Sequence, residues 1–222
     1  MTLQRVINGD AWRKSRLHDM RGNFIGPKAV VEDLPKVLLG AAERRALGIY
    51  PALPWNPFPV IRKFEEILQP GWSVFENGAG MSTIWWAQHV KSVYSIEPNR
   101  EWHGKVQAEL DMRGLKNVTL EFRPPLQAVD VSQFADKSFD IVLIDGPGRD
   151  HVAEQALRII KRPGWIYLDN ADFSEQWPEM YGLAEEAVAR HAQSAGGTVS
   201  YFTGMPPATF VATQGMLASF PR

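Results

Sequence analysis

The residues best suited to chemistry lie in the segment 74–83, VFENGAGMST, where a short apolar run leads into two close glycines. Glycine permits a tight backbone turn and lets a ligand approach without a Cβ atom in the way. The turn precedes an expected helix start, whose free N–H groups would point toward such a ligand. A second apolar run, residues 92–96, ends in Glu97, and a carboxylate there can accept hydrogen bonds from a ribose diol. The pattern predicts a cofactor that contains a nucleoside.

The same turn indicates which kind of cofactor binds. The dinucleotide fingerprint G-x-G-x-x-G needs a third glycine, but Gly78 and Gly80 are followed by Thr83. Glu76, just before the glycines, would repel a pyrophosphate and would favour a cationic amino-acid ligand. We therefore expect a ligand with a ribose and a positive charge but no phosphate. A purely structural tight turn is the alternative.

A second group of polar residues follows two later apolar runs. Asp145 comes directly after residues 139–144, and the pair Asp169-Asn170 comes after residues 165–168. If these runs are adjacent parallel strands, their ends meet, and the three side chains offer an oxygen-only cluster that suits Mg²⁺ or another divalent cation. Such an ion could lower the pKa of a substrate oxygen. Turn or helix-cap chemistry without metal is the alternative for all three residues.

Alternating strands and helices would position these residues. Helical periodicity between the first five strands predicts a parallel sheet with helices on both faces, and the closing pair, with no helix between its strands, predicts an antiparallel hairpin at one edge. Residues 1–58 are expected to form an N-terminal helical extension of a main domain at 59–222. Apolar runs predict seven strands at residues 73–76, 92–96, 118–122, 139–144, 165–168, 199–202 and 209–212.

Composition narrows the classes of function. The 222 residues are 45% hydrophobic and 22% charged, with a formal net charge of −1 and no cysteine. A charge near zero gives no reason to expect nucleic-acid or anionic-membrane partners, and the lack of cysteine excludes disulfides and a cysteine nucleophile. No apolar run approaches the roughly 20 residues that a membrane helix needs. We expect a cytoplasmic protein, and a homodimer is compatible with the sequence.

On these residues the sequence resembles the class I S-adenosylmethionine-dependent methyltransferases, over about residues 60–213. Residues 76–82, ENGAGMS, resemble their first motif, E/D-x-G-x-G-x-S, and Glu97 matches their ribose-binding acid. The resemblance implies a Rossmann-like seven-stranded α/β fold, an adenine site near Arg123 and S-adenosylmethionine as cofactor. The cofactor-binding residues that it implies are Glu76, Asn77, Gly78, Ala79, Gly80, Ser82, Thr83, Glu97 and Asp145.

The strand-end residues resemble those of the catechol and caffeoyl-coenzyme A type O-methyltransferases. Asp145, Asp169 and Asn170 match the metal triad of that group, which implies Asp145 as a metal ligand or a catalytic base. A lysine that follows the first Asp in those enzymes is absent here, where the loop is Gly146-Pro147-Gly148-Arg149. A weaker resemblance points to bacterial methyltransferases of glycan pathways.

The expected activity is methyl transfer from S-adenosylmethionine to a small-molecule or glycan hydroxyl. The alternatives are an N-methyltransferase without metal, an NAD-dependent oxidoreductase on a related sheet, and a non-catalytic binding module. The acceptor pocket is expected from residues 1–58 and 171–182, because loops and extensions build such pockets. Trp55, Trp177 and Tyr181 could line it, with plain packing as the alternative, and Arg149 could hold an anionic group or lie on the surface.

Overall fold

A computed structural model describes residues 8–222 and shows a seven-stranded sheet of order β3-β2-β1-β4-β5-β7-β6. The first five strands pair in parallel, whereas β7 runs antiparallel to both of its neighbours, β5 and β6. The predicted fold class is confirmed. The strands are β1 (Ser73–Asn77), β2 (Ser92–Glu97), β3 (Val118–Phe122), β4 (Phe139–Ile144), β5 (Ile160–Leu168), β6 (Val199–Gly204) and β7 (Thr213–Phe220).

Eight α-helices surround this sheet within the described residues. A 3₁₀ turn, Ala171–Phe173, and a π-helical turn, Pro178–Gly182, follow β5. The helices are α1 (Pro27–Glu32), α2 (Leu34–Leu47), α3 (Phe58–Ile67), α4 (Met81–His89), α5 (Arg100–Met112), α6 (Pro125–Ala128), α7 (Arg149–Ile159) and α8 (Leu183–Ser194). None of those in residues 8–222 is long and apolar enough to cross a bilayer.

The strand register brings the predicted site residues to one edge of the sheet. Asn77, the last residue of β1, pairs with Ile96 on one side and with Ile144 on the other. The residues that follow Asn77, Ile96 and Ile144 therefore lie side by side, at the point where the strand order reverses. Ile144 also pairs with Leu168, which brings the end of β5 to the same edge. This edge is where ligands bind in open α/β sheets.

Both faces of the sheet are buried, as its nearly continuous apolar strands require. Val74 and Ile141 face α3 and α4 on one side, where Phe64 and Trp86 are fully buried. The alternate residues face α7 and α8 on the other side and include Phe75, Val142, Ile166 and Ala218. Burying each large side chain contributes about 1.5–3 kcal/mol before the entropy of ordering is counted. The two layers hold the carboxyl ends of the strands in place.

The N-terminal segment packs onto the sheet domain. The backbone N–H of Ala212 donates to the carbonyl of Arg16 at 2.8 Å, and that of Phe58 donates to Met205 at 3.1 Å. Asp172, fully buried, accepts the N–H groups of Met20 and Gln214. The predicted boundary between the N-terminal extension, 1–58, and the main domain, 59–222, stays a prediction. Residues 1–7 of the extension lie outside the described part of the chain.

The last strand lies further along the chain than the sequence predicts. Residues 209–212 carry β-branched and aromatic side chains, but β7 is Thr213–Phe220. This strand contains Gly215 and Ala218, which weaken its local strand signal. Gly215 is required by packing, because a Cβ there would lie 2.1 Å from the Tyr167 hydroxyl. Contacts with β5 and β6 therefore override the local preference.

Candidate active site

The glycine turn is held from behind by a buried carboxylate. Oε2 of Glu76 accepts hydrogen bonds from the hydroxyls of Thr83 at 2.5 Å and Ser95 at 2.7 Å. The Thr83 hydroxyl in turn accepts the N–H of Gly80 at 2.9 Å. Burial raises the pKa of Glu76 to about 6, and the hydroxyls, including that of Ser82, oppose the rise. Glu76 and Thr83, predicted as cofactor contacts, thus shape the turn.

Asn77 joins the β1 turn to the β4 turn. Its side-chain oxygen accepts the N–H of Gly146 at 3.0 Å, and its side-chain nitrogen donates to the carbonyl of Ala128 at 3.1 Å. Asn77 is fully buried, so both ends of this amide serve the fold. Gly78 has φ of 98°, and a Cβ there would lie 2.8 Å from the Gly146 nitrogen. A Cβ on Gly146 would in turn lie 2.4 Å from the Asn77 side-chain oxygen, so the close approach of the two turns requires glycine at both positions.

A cleft of about 300 Å³ opens where the turns meet. Glu97 lies in its wall, 6% exposed, and its Oε1 accepts the N–H of Asn99 at 2.7 Å. Burial raises the pKa of Glu97, against the opposing hydrogen bonds from the N–H groups of Asn99 and Ala79. The lining residues are Gly78, Ala79, Glu97, Pro98, Trp102, Asp145, Gly146, Pro147 and Arg149. A larger cavity, about 630 Å³, lies at the opposite edge of the sheet and contains none of the predicted site residues.

Trp102, in the first turn of α5, also lines the cleft, although it is not among the site residues predicted from the sequence. Its indole N–H donates to the carbonyl of Ala79 at 2.9 Å, which fixes the glycine turn from the side of the helix. The ring packs 5.5 Å from Tyr50 and 5.8 Å from Trp55 between centroids. Trp55 therefore belongs to this packing cluster. The side chain of Asn99 caps α5 by accepting the backbone N–H of Trp102. This cap places Trp102 in the first helical turn, and Asn99 is the residue from which that position can be predicted.

Arg123 takes no part in the cleft. Its guanidinium donates to the Glu121 carboxylate at 2.7 Å and to the carbonyl of Asp130 at 2.6 Å. Its backbone N–H donates to the carbonyl of Glu97 at 3.2 Å. The position after β3 is thus next to Glu97, and the Arg123 side chain is held by local contacts. The adenine site near Arg123 stays a prediction.

Asp145 and Asp169 form an interacting pair at the far side of the cleft. Burial, and then the negative charge of Asp169, raise the pKa of Asp145 well above its ordinary range, with Arg149 opposing the rise. Oδ1 of Asp169 accepts the Tyr167 hydroxyl at 2.6 Å and the Asn56 amide at 3.1 Å. Burial and Asp169 also raise the pKa of Tyr167 well above 10.0, so the phenol stays neutral and keeps donating.

The predicted metal site at Asp145, Asp169 and Asn170 is not supported by this geometry. Oδ1 of Asp145 and Oδ1 of Asn170 both accept from one nitrogen, Nη2 of Arg149, at 3.0 and 3.2 Å. The Oδ1 atom of Asp169 already has two donors. A cation shared by Asp145 and Asn170 would have to displace the Arg149 guanidinium from both oxygens.

Aromatic side chains continue the site beyond Arg149. The Tyr181 ring lies 4.7 Å from the Arg149 guanidinium carbon, and Phe173 lies 5.2 Å from Tyr181 between centroids. Trp177 packs 5.1 Å from Phe173 and 6.0 Å from Trp12, and the two tryptophans are 43% and 57% exposed. We call Trp12, Phe173, Trp177 and Tyr181 the aromatic cluster. The aromatic rings of this cluster form an open surface beside the cleft.

Solved structures share this architecture at low sequence identity. A candidate O-methyltransferase from Klebsiella pneumoniae is 18% identical, with a TM-score of 0.57, and the match covers 88% of this chain and 94% of that one. The O-methyltransferase TomG from Streptomyces achromogenes, in complex with SAM, is also 18% identical, with a TM-score of 0.57 and coverages of 88% and 93%. An rRNA methylase from Streptococcus thermophilus is 15% identical, with a TM-score of 0.54 and coverages of 74% and 97%.

These likenesses establish the fold. The chain has the Rossmann-like fold of the class I S-adenosylmethionine-dependent methyltransferases, which confirms the fold that the sequence resemblance implies. No protein-family model matches the chain, and no curated protein matches it in sequence. Since the same fold carries an rRNA methylase, it does not select an acceptor.

Proposed function

We propose that this protein transfers the methyl group of S-adenosylmethionine to an oxygen atom of a small-molecule or glycan acceptor. One observation carries the proposal: the register of β1, β2 and β4 brings Gly78, Glu97 and Asp145 around a single cleft. The bound SAM in the structurally similar TomG supports the same cofactor.

The charges in the cleft favour this cofactor over a dinucleotide. Glu97 and Asp145 are its acidic residues, and the only cation among its lining residues, Arg149, is paired with Asp145 at 3.0 Å. A pyrophosphate would find no free positive charge there, whereas a sulfonium would meet carboxylates. S-adenosylmethionine supplies an electrophilic methyl group when bound. Glu97 would hold its ribose hydroxyls, and the turn at Gly78 and Ala79 would allow its methionine part to approach.

Asp145 is placed to take the proton of an acceptor hydroxyl. Its carboxylate lines the cleft, and burial, followed by the negative charge of Asp169, raises its pKa above that of an ordinary aspartate. A hydroxyl becomes a good nucleophile only as it loses its proton, so a base at this position suits O-methylation. A neutral amine already carries a nucleophilic lone pair and has less need of this pair of carboxylates. The acidic pair therefore favours an oxygen acceptor over a nitrogen acceptor.

The aromatic cluster is the proposed acceptor surface. Tyr181 connects it to the cleft through Arg149, and the rings of Trp12 and Trp177 face outward. Exposed indole rings stack on flat aromatic molecules and on the apolar faces of sugars. Both acceptor classes predicted from the sequence fit such a surface. The absence of nucleic-acid and membrane partners, the cytoplasmic location and the homodimer stay predictions.

Calorimetric titration with S-adenosylhomocysteine and with NAD⁺ tests the cofactor. We expect binding of S-adenosylhomocysteine in the micromolar range and no binding of NAD⁺. The variant Glu97→Gln should bind S-adenosylhomocysteine more weakly, while Glu121→Gln, on the next strand and outside the cleft, should bind it as the wild type does. Binding of NAD⁺ in place of S-adenosylhomocysteine would support an oxidoreductase and refute the proposal.

A further inference from the structure

Arg149 contacts two of the three side chains that the sequence assigns to a metal ion, Asp145 and Asn170. It is the first residue of α7 and is only 6% exposed. Nη2 contacts Oδ1 of Asp145 at 3.0 Å, the carbonyl of Asp145 at 2.9 Å and Oδ1 of Asn170 at 3.2 Å. Nη1 donates to the carbonyl of Gly146 at 2.7 Å. One guanidinium thus joins the ends of β4 and β5.

These contacts resemble what a cation would make with the same atoms. A single nitrogen gathers one carboxylate, one amide and one carbonyl oxygen, which is the oxygen set that a hard divalent ion takes. A guanidinium keeps its charge at every physiological pH, so its charge at this position does not depend on metal supply. The Tyr181 ring, 4.7 Å away, covers the group from the acceptor side. The guanidinium therefore occupies the position between Asp145 and Asn170 that a cation shared by their oxygens would take.

We propose that the Arg149 guanidinium replaces a divalent cation in this protein, so that its methyl transfer requires no metal. The inference rests on the proposed function and assigns Arg149 as a positioning residue. The guanidinium fixes the Asp145 carboxylate, the candidate base, at the edge of the cleft. It also holds the carbonyl of Gly146, and so the β4 turn that packs against Gly78.

A titration with Mn²⁺ tests the replacement directly. Binding is measured by electron paramagnetic resonance, because the sharp signal of the free ion is lost when the ion binds. Wild-type protein saturated with S-adenosylhomocysteine should leave the signal unchanged. The variant Arg149→Ala frees the oxygens of Asp145 and Asn170, so it should bind Mn²⁺, and adding Asp145→Asn should abolish that binding. Arg149→Lys should not bind Mn²⁺, because its ammonium keeps the positive charge. Mn²⁺ binding by the wild type, or none by a folded Arg149→Ala, would overturn the proposal.

Affinity for S-adenosylhomocysteine separates this inference from the proposed function. In chelated buffer, the wild type should bind it as tightly as with Mg²⁺ present, and Arg149→Met should bind it about tenfold more weakly, since the β4 turn loses its anchor. Arg158→Met is the matched control on the same helix. Arg158 pairs with Asp136 at 2.8 Å, away from the cleft, and its loss should not change the affinity. If the wild type binds no S-adenosylhomocysteine, the function fails. If it binds but requires Mg²⁺, only the role of Arg149 fails.

Discussion

Replacing Gly78 with alanine tests how the cofactor cleft is built. Gly78 has φ of 98°, a conformation that costs an L residue about 1–3 kcal/mol. The added Cβ would lie 2.8 Å from the Gly146 nitrogen and 3.0 Å from the Asp145 carbonyl carbon. Both are backbone atoms, so no side chain can rotate away to relieve the contact.

The size of the effect follows from this contact. Opening it from 2.8 Å to an ordinary 3.4 Å moves the two turns apart by roughly 0.6 Å. Overpacking of this kind costs about 1–3 kcal/mol. Together with the conformational cost, we expect Gly78→Ala to lose about 2–6 kcal/mol of unfolding free energy. The same shift displaces two walls of the cleft, so the affinity for S-adenosylhomocysteine should fall by at least about tenfold.

Urea unfolding and calorimetric titration measure the two effects. The slope of the unfolding transition should match that of the wild type, which shows that the change lies in stability. Gly104→Ala is the control: Gly104 lies in α5 with no atom within 4 Å of an added Cβ, and alanine there should be neutral or stabilise by up to about 1 kcal/mol. If Gly78→Ala unfolds at the wild-type urea concentration and binds S-adenosylhomocysteine normally, the close approach of the turns is not what requires glycine.

Three further predictions concern the cleft, the N-terminal contact and the acceptor surface. Trp102→Phe keeps an aromatic ring in the cleft wall but loses the indole N–H that donates to the Ala79 carbonyl. Calorimetry should then show a severalfold weaker affinity for S-adenosylhomocysteine, and the unfolding free energy should fall by about 1 kcal/mol. Burial raises the pKa of Asp172 from 3.8 to about 6, so its folded form binds a proton more tightly than its unfolded form. The stability of the wild type relative to Asp172→Asn should therefore fall by up to about 3 kcal/mol as the pH rises from about 4 to about 6, and a gap independent of pH in urea titrations would contradict the raised pKa. Once an acceptor is known, Trp177→Ala should raise the KM for it severalfold and leave the affinity for S-adenosylhomocysteine unchanged; an unchanged KM would place the acceptor elsewhere.

Local patterns in the sequence were sufficient for the sheet and for the edge at which the site lies. Apolar runs separated by helical periodicity predict β1 to β4 to within one residue at their ends, because β1, β2 and β4 are largely buried and the edge strand β3 consists mainly of apolar and β-branched residues. The glycine turn and Glu97 follow from the same strands, because the carboxyl ends of parallel strands share one edge. The strand predicted at 209–212 lies too early in the chain, since β7 is Thr213–Phe220. This strand needs Gly215 for packing against Tyr167, and glycine gives no local strand signal.

The roles of individual side chains could not be predicted in this way. Asn56 and Asp169 are 113 residues apart in the chain, yet their side chains are 3.1 Å apart in the fold. Asn77 looks like a cofactor contact because it stands inside the glycine motif, but the fold uses both ends of its amide. A hydrogen bond depends on the position of both partners, and sequence spacing gives that position only within one element.

Residue patterns along the chain thus predict the sheet, the edge that carries the cleft and the chemical types gathered there. The three-dimensional packing shows which of those groups face the cleft. Glu76 and Thr83 turn inward to hold the glycine turn, and Arg149 donates to the Asp145 carboxylate and to the Asn170 amide oxygen. Residue type fixes what a group can bind, whereas packing and strand register fix which partner lies within hydrogen-bonding distance of it.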